Sequence, residues 1–303
     1  MIIASATDER YAEMAGVMLR SVVLNGNVPD ARIVMIGDNL SPATIEKLRA
    51  SAAPLHFDCV DLDDYAYAWE GIDLRGYPAV SAARLVLPQI IEGDGRLLYL
   101  DADTFVLKSL RPLARMDLGL NFAAAVTDAD HPDSMPLRNR RIGRPPNAPY
   151  FNAGVLLFDL GVWRRNRIEQ RCLRFISEDP EGLTWPDQDA INAVLHGRIR
   201  KLPRGWNFWS VINPELDRET FLAASIVHFL PHKPVPGSAH PIYDLYLKVR
   251  ASTPFEPMEP APEPAAEEYA LPELPEPRIQ SRFVRMRDRL TGRARRRRPS
   301  VQQ

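Results

Sequence analysis

The sequence predicts an α/β fold in which a mostly parallel central sheet is flanked by helices. Apolar strand-like runs alternate with amphipathic helical stretches over the first 62 residues, in the order β-α-β-α-β that builds such a sheet. A later apolar run, Arg96-Leu97-Leu98-Tyr99-Leu100, stops abruptly at Asp101-Ala102-Asp103, as a buried strand does where a sheet opens to solvent. The 303 residues and 45% hydrophobic content leave room for one large domain plus an appendage.

Ile2 to Ala6 is the first strand, and Asp8 is placed to cap the helix after it. In that helix Tyr11, Met14, Ala15, Met18, Leu19 and Val22 recur at helical spacing, and Asn25-Gly26-Asn27 ends it. Ile33 to Ile36 is a strand closing at Gly37-Asp38; Ser41-Pro42 opens a helix with cap and first-turn proline in their favoured places. His56 to Leu62 is the third strand. Asp63 to Pro78 is polar and irregular, and Arg84 to Ile91 reads as a helix leading to the two-aspartate strand.

Asn121 to Val126 is a strand of small residues ending at Thr127-Asp128. An Arg- and Pro-rich loop follows, from His131 to Pro149, of a length that usually carries function. Phe151-Asn152-Ala153-Gly154 leads into the strand Val155 to Phe158, and Val162 to Ile176 is a helix. Asp187-Gln188-Asp189 starts another helix through Leu195; Ile199 to Leu202 and Ser225 to Phe229 are short strands.

The domain is expected to span residues 1–250. Residues 251–277 read as an acidic linker, because eight Pro and seven Glu between Pro254 and Pro277 leave little to pack. Residues 278–303 form a basic tail in which Ile279, Phe283, Met286 and Leu290 share a helical face and Arg295 to Arg298 end the run. Ten arginines and one acid there give +9, against −10 for the rest of the chain and −1 overall. Such a segment suits an anionic membrane surface, expected through residues 278–298; a solvated tail is the bland alternative, and nucleic acid fits less well. Cys59 and Cys172 stand alone in apolar segments, so neither a disulfide framework nor a zinc site is expected. With no leader-like start and no membrane-spanning run, a cytoplasmic location is expected, with the tail peripheral on the membrane.

The chemistry centres on Asp101 and Asp103. On a strand, alternate side chains share a face, so both carboxylates would converge with Ala102 turned away. Two acids on one face repel unless neutralised, and a hard divalent cation would do so; alternatively one merely caps a turn.

Ala6-Thr7-Asp8 with Tyr11, Arg84, Asp101-Ala102-Asp103, Phe151-Asn152-Ala153-Gly154, Asp187-Gln188-Asp189, Trp206-Asn207, and His228 with Lys233-Pro234 together resemble glycosyltransferase family 8, in order, over about residues 1–248. The resemblance implies a GT-A fold and retaining transfer of glucose or galactose from a UDP-sugar to a hydroxyl of a glycan or glycolipid acceptor, with Mn2+, or Mg2+ as second choice. It implies metal ligation by Asp101, Asp103 and His228. It also implies donor contacts by Ala6, Thr7, Asp8, Tyr11, Arg84, Ala102, Asn152, Ala153, Gly154 and Lys233. By the same resemblance Asp187 meets the sugar hydroxyls, Gln188 faces the anomeric carbon, and Asp128 lies on the acceptor side; Asp189 is expected to orient or support.

The chain departs from the family pattern at three places. Ala82 stands where an aromatic residue is usual, Val235 replaces a tryptophan, and His228 to Lys233 is one residue short. Two rival readings follow from the residues. Asp101-Ala102-Asp103-Thr104 is close to the nucleophile motif of haloacid dehalogenase-type phosphohydrolases, with Asp101 attacking; the shortened segment after His228 suggests a catalytically impaired nucleotide-sugar-binding protein.

Overall fold

The structure, a computed structural model, describes residues 1–74, 76–128, 135–209, 218–230 and 233–255. The linker beyond Phe255 and the basic tail lie outside the described residues.

The chain opens with β1 (Ile2–Asp8), α1 (Ala12–Asn25), β2 (Arg32–Asp38), α2 (Pro42–Ala52) and β3 (His56–Asp61). These follow the expected order. Ser41 caps α2, its hydroxyl accepting from the Thr44 amide at 3.2 Å. Asp8 does not cap α1: Tyr11 holds that position, and the Asp8 carboxylate accepts from the Tyr11 amide at 3.0 Å one turn earlier. Three residues separate β1 from α1, so the acid stabilises the entry turn instead of the helix end.

A 3-10 helix (Leu62–Trp69) occupies part of the stretch expected to be irregular. After α3 (Ala79–Ala82), the helix expected over Arg84 to Ile91 is broken into a 3-10 turn (Ala83–Leu85) and a short α4 (Leu87–Ile90). Pro88 is the reason, since it has no N–H to donate to the Arg84 carbonyl.

Then come β4 (Arg96–Leu100), β5 (Thr104–Val106), α5 (Arg111–Ala114), β6 (Ala123–Thr127), α6 (Met135–Arg141) and β7 (Phe151–Asp159). Helix α6 fills part of the expected long loop. α7 (Leu160–Arg165) and α8 (Ile168–Glu178) replace one expected helix; between them Arg167 adopts φ +52°, which no α-helix continues through. α9 (Pro186–Val194), β8 (Ile199–Lys201), α10 (Arg218–Ala223), β9 (Ile226–His228) and α11 (Tyr243–Arg250) complete the described chain.

The main sheet runs β3-β2-β1-β4-β7-β6-β8, and β5 pairs with β9 in a second, small sheet. Pairs β3–β2, β2–β1, β1–β4 and β6–β8 are parallel, while β7 runs antiparallel to both β4 and β6. This single reversal places the site. The beginning of β7 lies where β4 and β6 end, so the Asp101 amide donates to the Gly154 carbonyl at 2.8 Å and the Asp128 amide to the Tyr150 carbonyl at 2.8 Å.

Alternation along the strands divides the core. Ile3, Ile33, Met35, Leu98 and Leu100 face α1 and α2; Ala4, Val34, Ile36, Leu97 and Tyr99 face α3, α8 and α9. Each large side chain buried this way contributes roughly 1.5–3 kcal/mol. A third cluster, with Val17, Phe105, Val227, Phe229 and Tyr246, fixes β5, β9 and α11 against α1. Both cysteines are free. Among the described residues no helix is long and apolar enough to cross a membrane.

Candidate active site and metal centre

Asp101 and Asp103 are not on a strand. β4 stops at Leu100, whose partner is Val155, and Asp101 to Thr104 form a turn closed by Thr104 N donating to Asp101 O at 3.1 Å. The turn, and not the strand pleat, brings the two carboxylates together, while Ala102 points into the core beside α1. The reversed chain enters β5, where Thr104 pairs with His228 of β9. Asp101, Asp103 and His228 thus offer ligand atoms all within 4.8 Å of one another.

The His228 ring is oriented by a chain of fixed donors and acceptors. The Gly154 amide donates to Asn152 Oδ1 at 2.9 Å, and Asn207 Nδ2 donates to the same oxygen at 2.8 Å. Asn207 Oδ1 is left as an acceptor, 3.0 Å from His228 Nδ1. In the neutral ring the proton therefore sits on Nδ1, and the lone pair of Nε2 faces Asp103 Oδ1 at 3.0 Å and Asp101 Oδ2 at 3.7 Å. A lone pair facing two carboxylates is repulsive until a cation lies among them, so the residues fit a divalent metal. Asn207 was legible only as part of the Trp206-Asn207 match; its task appears in the contacts.

Gly154 is required by these ligands. A Cβ there would lie 2.3 Å from His228 Cε1 and 2.6 Å from Asp101 Oδ2. The bare backbone makes room for the metal ligands themselves.

Arg84 is buried and joins two acids, with Nη2 2.8 Å from Asp101 Oδ1 and Nε 2.9 Å from Asp187 Oδ2, over the Tyr99 ring. Burial opposes its charge, but Asp101, Tyr99 and Asp187 outweigh that and hold its proton more tightly than usual. Burial pushes the Asp187 carboxyl up, against the pull of Arg84. At Asp103 burial is outweighed by the Lys233 ammonium beside it, and the carboxyl lies well below its ordinary range. Lys233 pairs with Asp103, and its ammonium is 5.9 Å from the centre of the half-exposed Tyr11 ring. Lys233 therefore reaches the centre despite the shortened segment, of which Pro231 and His232 lie outside the described residues.

At the end of β1, Ala6 and Thr7 are buried, and Asp8 pairs with Arg10 at 3.0 Å. Across the site Gln188 Oε1 accepts from the Ala153 amide at 2.9 Å, and Nε2 approaches Asp128 Oδ2 at 3.3 Å and Tyr150 at 3.4 Å. Asp189 supports this turn: it accepts from the Thr184 and Trp185 amides and the Tyr150 hydroxyl, at 2.7, 3.2 and 2.6 Å. The centre combines a three-ligand seat, two cations and a polar wall.

The family model for glycosyl transferase family 8 matches residues 2–234. General stress protein A of Bacillus subtilis is 27% identical over 84% of this chain and 94% of its own length. The lipopolysaccharide 1,2-glucosyltransferase of Escherichia coli K12 is 26% identical over 72% of this chain and 65% of its own. The crystal structure of galactosyltransferase LgtC in complex with donor and acceptor sugar analogs superposes with a TM-score of 0.70. It is 25% identical and covers 85% of this chain and 98% of its own. The phosphohydrolase alternative gains no support from these matches. With the family model running from the first strand to Pro234, just past every residue of the centre described above, the chain belongs to glycosyl transferase family 8.

Proposed function

We propose that this glycosyltransferase moves glucose or galactose from a UDP-sugar to a hydroxyl of a cell-envelope glycan or glycolipid, retaining anomeric configuration. The observation that carries it is the Asp101–Asp103–His228 seat beside the Lys233 ammonium, a cluster that suits a metal-bound diphosphate. Two carboxylates and an imidazole favour Mn2+ over Mg2+. When bound, the metal would stabilise the charge growing on the UDP leaving group.

The chain's own residues supply the rest. Lys233 meets the phosphates, and Ala6, Thr7, Asp8 and Tyr11 hold the uridine. Arg84 locks Asp101 toward the metal and Asp187 toward the sugar, so one buried cation sets both carboxylates. Gln188 faces the anomeric carbon, but its carbonyl oxygen already accepts from Ala153 and an amide is a poor nucleophile. A front-side route follows: the acceptor oxygen bonds to the anomeric carbon as the bond to phosphate breaks, and the acceptor proton passes to the departing phosphate oxygen. Asp128, whose Oδ2 is 3.3 Å from Gln188 Nε2, would lie on the acceptor side. The glucosyltransferase and galactosyltransferase relatives point to the envelope as the place of the acceptor. The tail, residues 278–298, would hold the enzyme on the cytoplasmic membrane face.

The test is UDP release from UDP-glucose or UDP-galactose with Mn2+, beside a chain carrying Asp101→Asn and Asp103→Asn. Metal-dependent release by the native chain and none by the folded double variant is expected. Metal-dependent UDP binding without turnover would favour the impaired binding protein, and no metal-dependent UDP binding at all would defeat both.

A further inference from the structure

A buried cation stands behind the turn that carries Asp187 and Gln188. Arg138, on α6, is 2% exposed. Its guanidinium carbon lies 3.7 Å from the centre of the Trp185 ring and 5.3 Å from that of Tyr150. Its Nε and Nη1 are buried without a hydrogen-bond partner. A buried, incompletely hydrogen-bonded charge is costly, and two aromatic faces offset only part of that cost. A feature of this kind calls for an explanation beyond packing.

Its two rings supply one. Trp185 is the residue at the N-terminal cap of α9, and its amide donates to Asp189 Oδ2. Tyr150 donates its hydroxyl to Asp189 Oδ1 and approaches Gln188 Nε2. Asp187 and Gln188 lie in the chain between Trp185 and Asp189, which these contacts tie together. Asp189 is fully buried, and the Arg138 charge opposes the burial that pushes its carboxyl up. Arg138 thus presses on both rings that bracket the turn and counters the one acid that ties it together.

We propose that Arg138 is a positioning residue for transfer, clamping Trp185 and Tyr150 so that the first turn of α9 presents Asp187 and Gln188 to the donor sugar. It rests on the transferase reading above. The predicted signature is a loss in the chemical step with donor binding kept, since small misplacements at a reacting centre cost rate steeply.

The experiment compares wild type, Arg138→Met, Arg138→Lys and Trp185→Phe in UDP release with Mn2+. Alongside kcat and KM it records UDP affinity, melting and tryptophan emission. Arg138→Met, and more mildly Trp185→Phe, should lower kcat, the former by about 30-fold or more, with KM and UDP affinity within about threefold. Arg138→Lys, which keeps a cation beside the indole, should recover much of kcat and the native emission. A kcat within threefold of wild type in Arg138→Met overturns the proposal. So does a parallel fall of kcat, UDP affinity and melting that lysine does not relieve, which marks a merely structural role. If Arg138→Met does not fold, Trp185→Phe decides, and unaltered kcat there overturns it. An inactive wild type sinks the transferase reading and the positioning role together, whereas active wild type with unaffected variants sinks the positioning role alone.

Discussion

Asn207 Oδ1 lies 3.0 Å from His228 Nδ1, and that contact decides which ring nitrogen is left for a metal. Replacing Asn207 by Ala releases the tautomer and lets the ring rotate. Partners of this kind are typically worth 10–100-fold in metal affinity, and a loss of about that size is expected. Mn2+ titration followed by the free-ion resonance signal measures it. An unchanged affinity would mean that the ring is held by its β-sheet position alone.

Gly154→Ala should be nearly as damaging as removing a ligand. The new methyl would sit 2.3 Å from His228 Cε1, and the ring cannot retreat because Asn207 and the β5–β9 pairing hold it. Metal-dependent UDP release is expected to fall by about 100-fold or more while the circular dichroism spectrum stays native. Full activity in this variant would show that the ligands have slack that the contacts do not suggest.

The parallel half of the fold was legible because apolar runs and capping signals repeat in β-α-β order up to His56. The reversal of β7 was not: Val155 to Phe158 is apolar on both faces, and such a run carries no direction. For the centre, residue identity was readable and mechanism of placement was not. Asp101 and Asp103 converge through a turn that Thr104 closes, although strand alternation reached the same pairing for a different reason. Arg138 lay hidden because an arginine in a basic segment looks like a surface residue, and Asn207 was legible as part of a motif but not in its task. Their roles exist only once β6, β7, α9 and β9 meet.

Glu169 gives the stability of the fold a pH dependence. It is 4% exposed and accepts from Gln89, whose amide oxygen in turn accepts from Tyr67 at 2.7 Å. Burial pushes its carboxyl from 4.5 up to about 7. The folded state thus holds the proton more tightly than the unfolded one. Its contribution is full below about pH 4.5 and is lost as pH rises through about 7. Glu169→Gln removes the titration and keeps an acceptor for Gln89. Relative to wild type it should gain on the order of 1–3 kcal/mol between pH 4.5 and 8.5, read by denaturant unfolding. A difference that stays flat across that window would place the Glu169 titration elsewhere.

The last described residues set where the tail can be removed. Arg250 makes a two-point pair with Glu13 at 2.6 and 2.9 Å, and Ser252 Oγ accepts from Arg20 at 3.2 Å. The Phe255 ring packs where a side chain on Gly16 would otherwise be, with the Lys47 ammonium 5.7 Å above it. A chain ending at Leu247 would cut α11 and lose all of these, so its failure would say nothing about the tail. A chain ending at Phe255 keeps them and should stay folded and bind UDP. Full-length protein should sediment with anionic vesicles and be released by salt, because polybasic attraction is screened within a Debye length. The shortened chain should remain in the supernatant. Equal sedimentation of the two would place membrane attachment, if there is any, on the folded domain and remove the role proposed for residues 278–298.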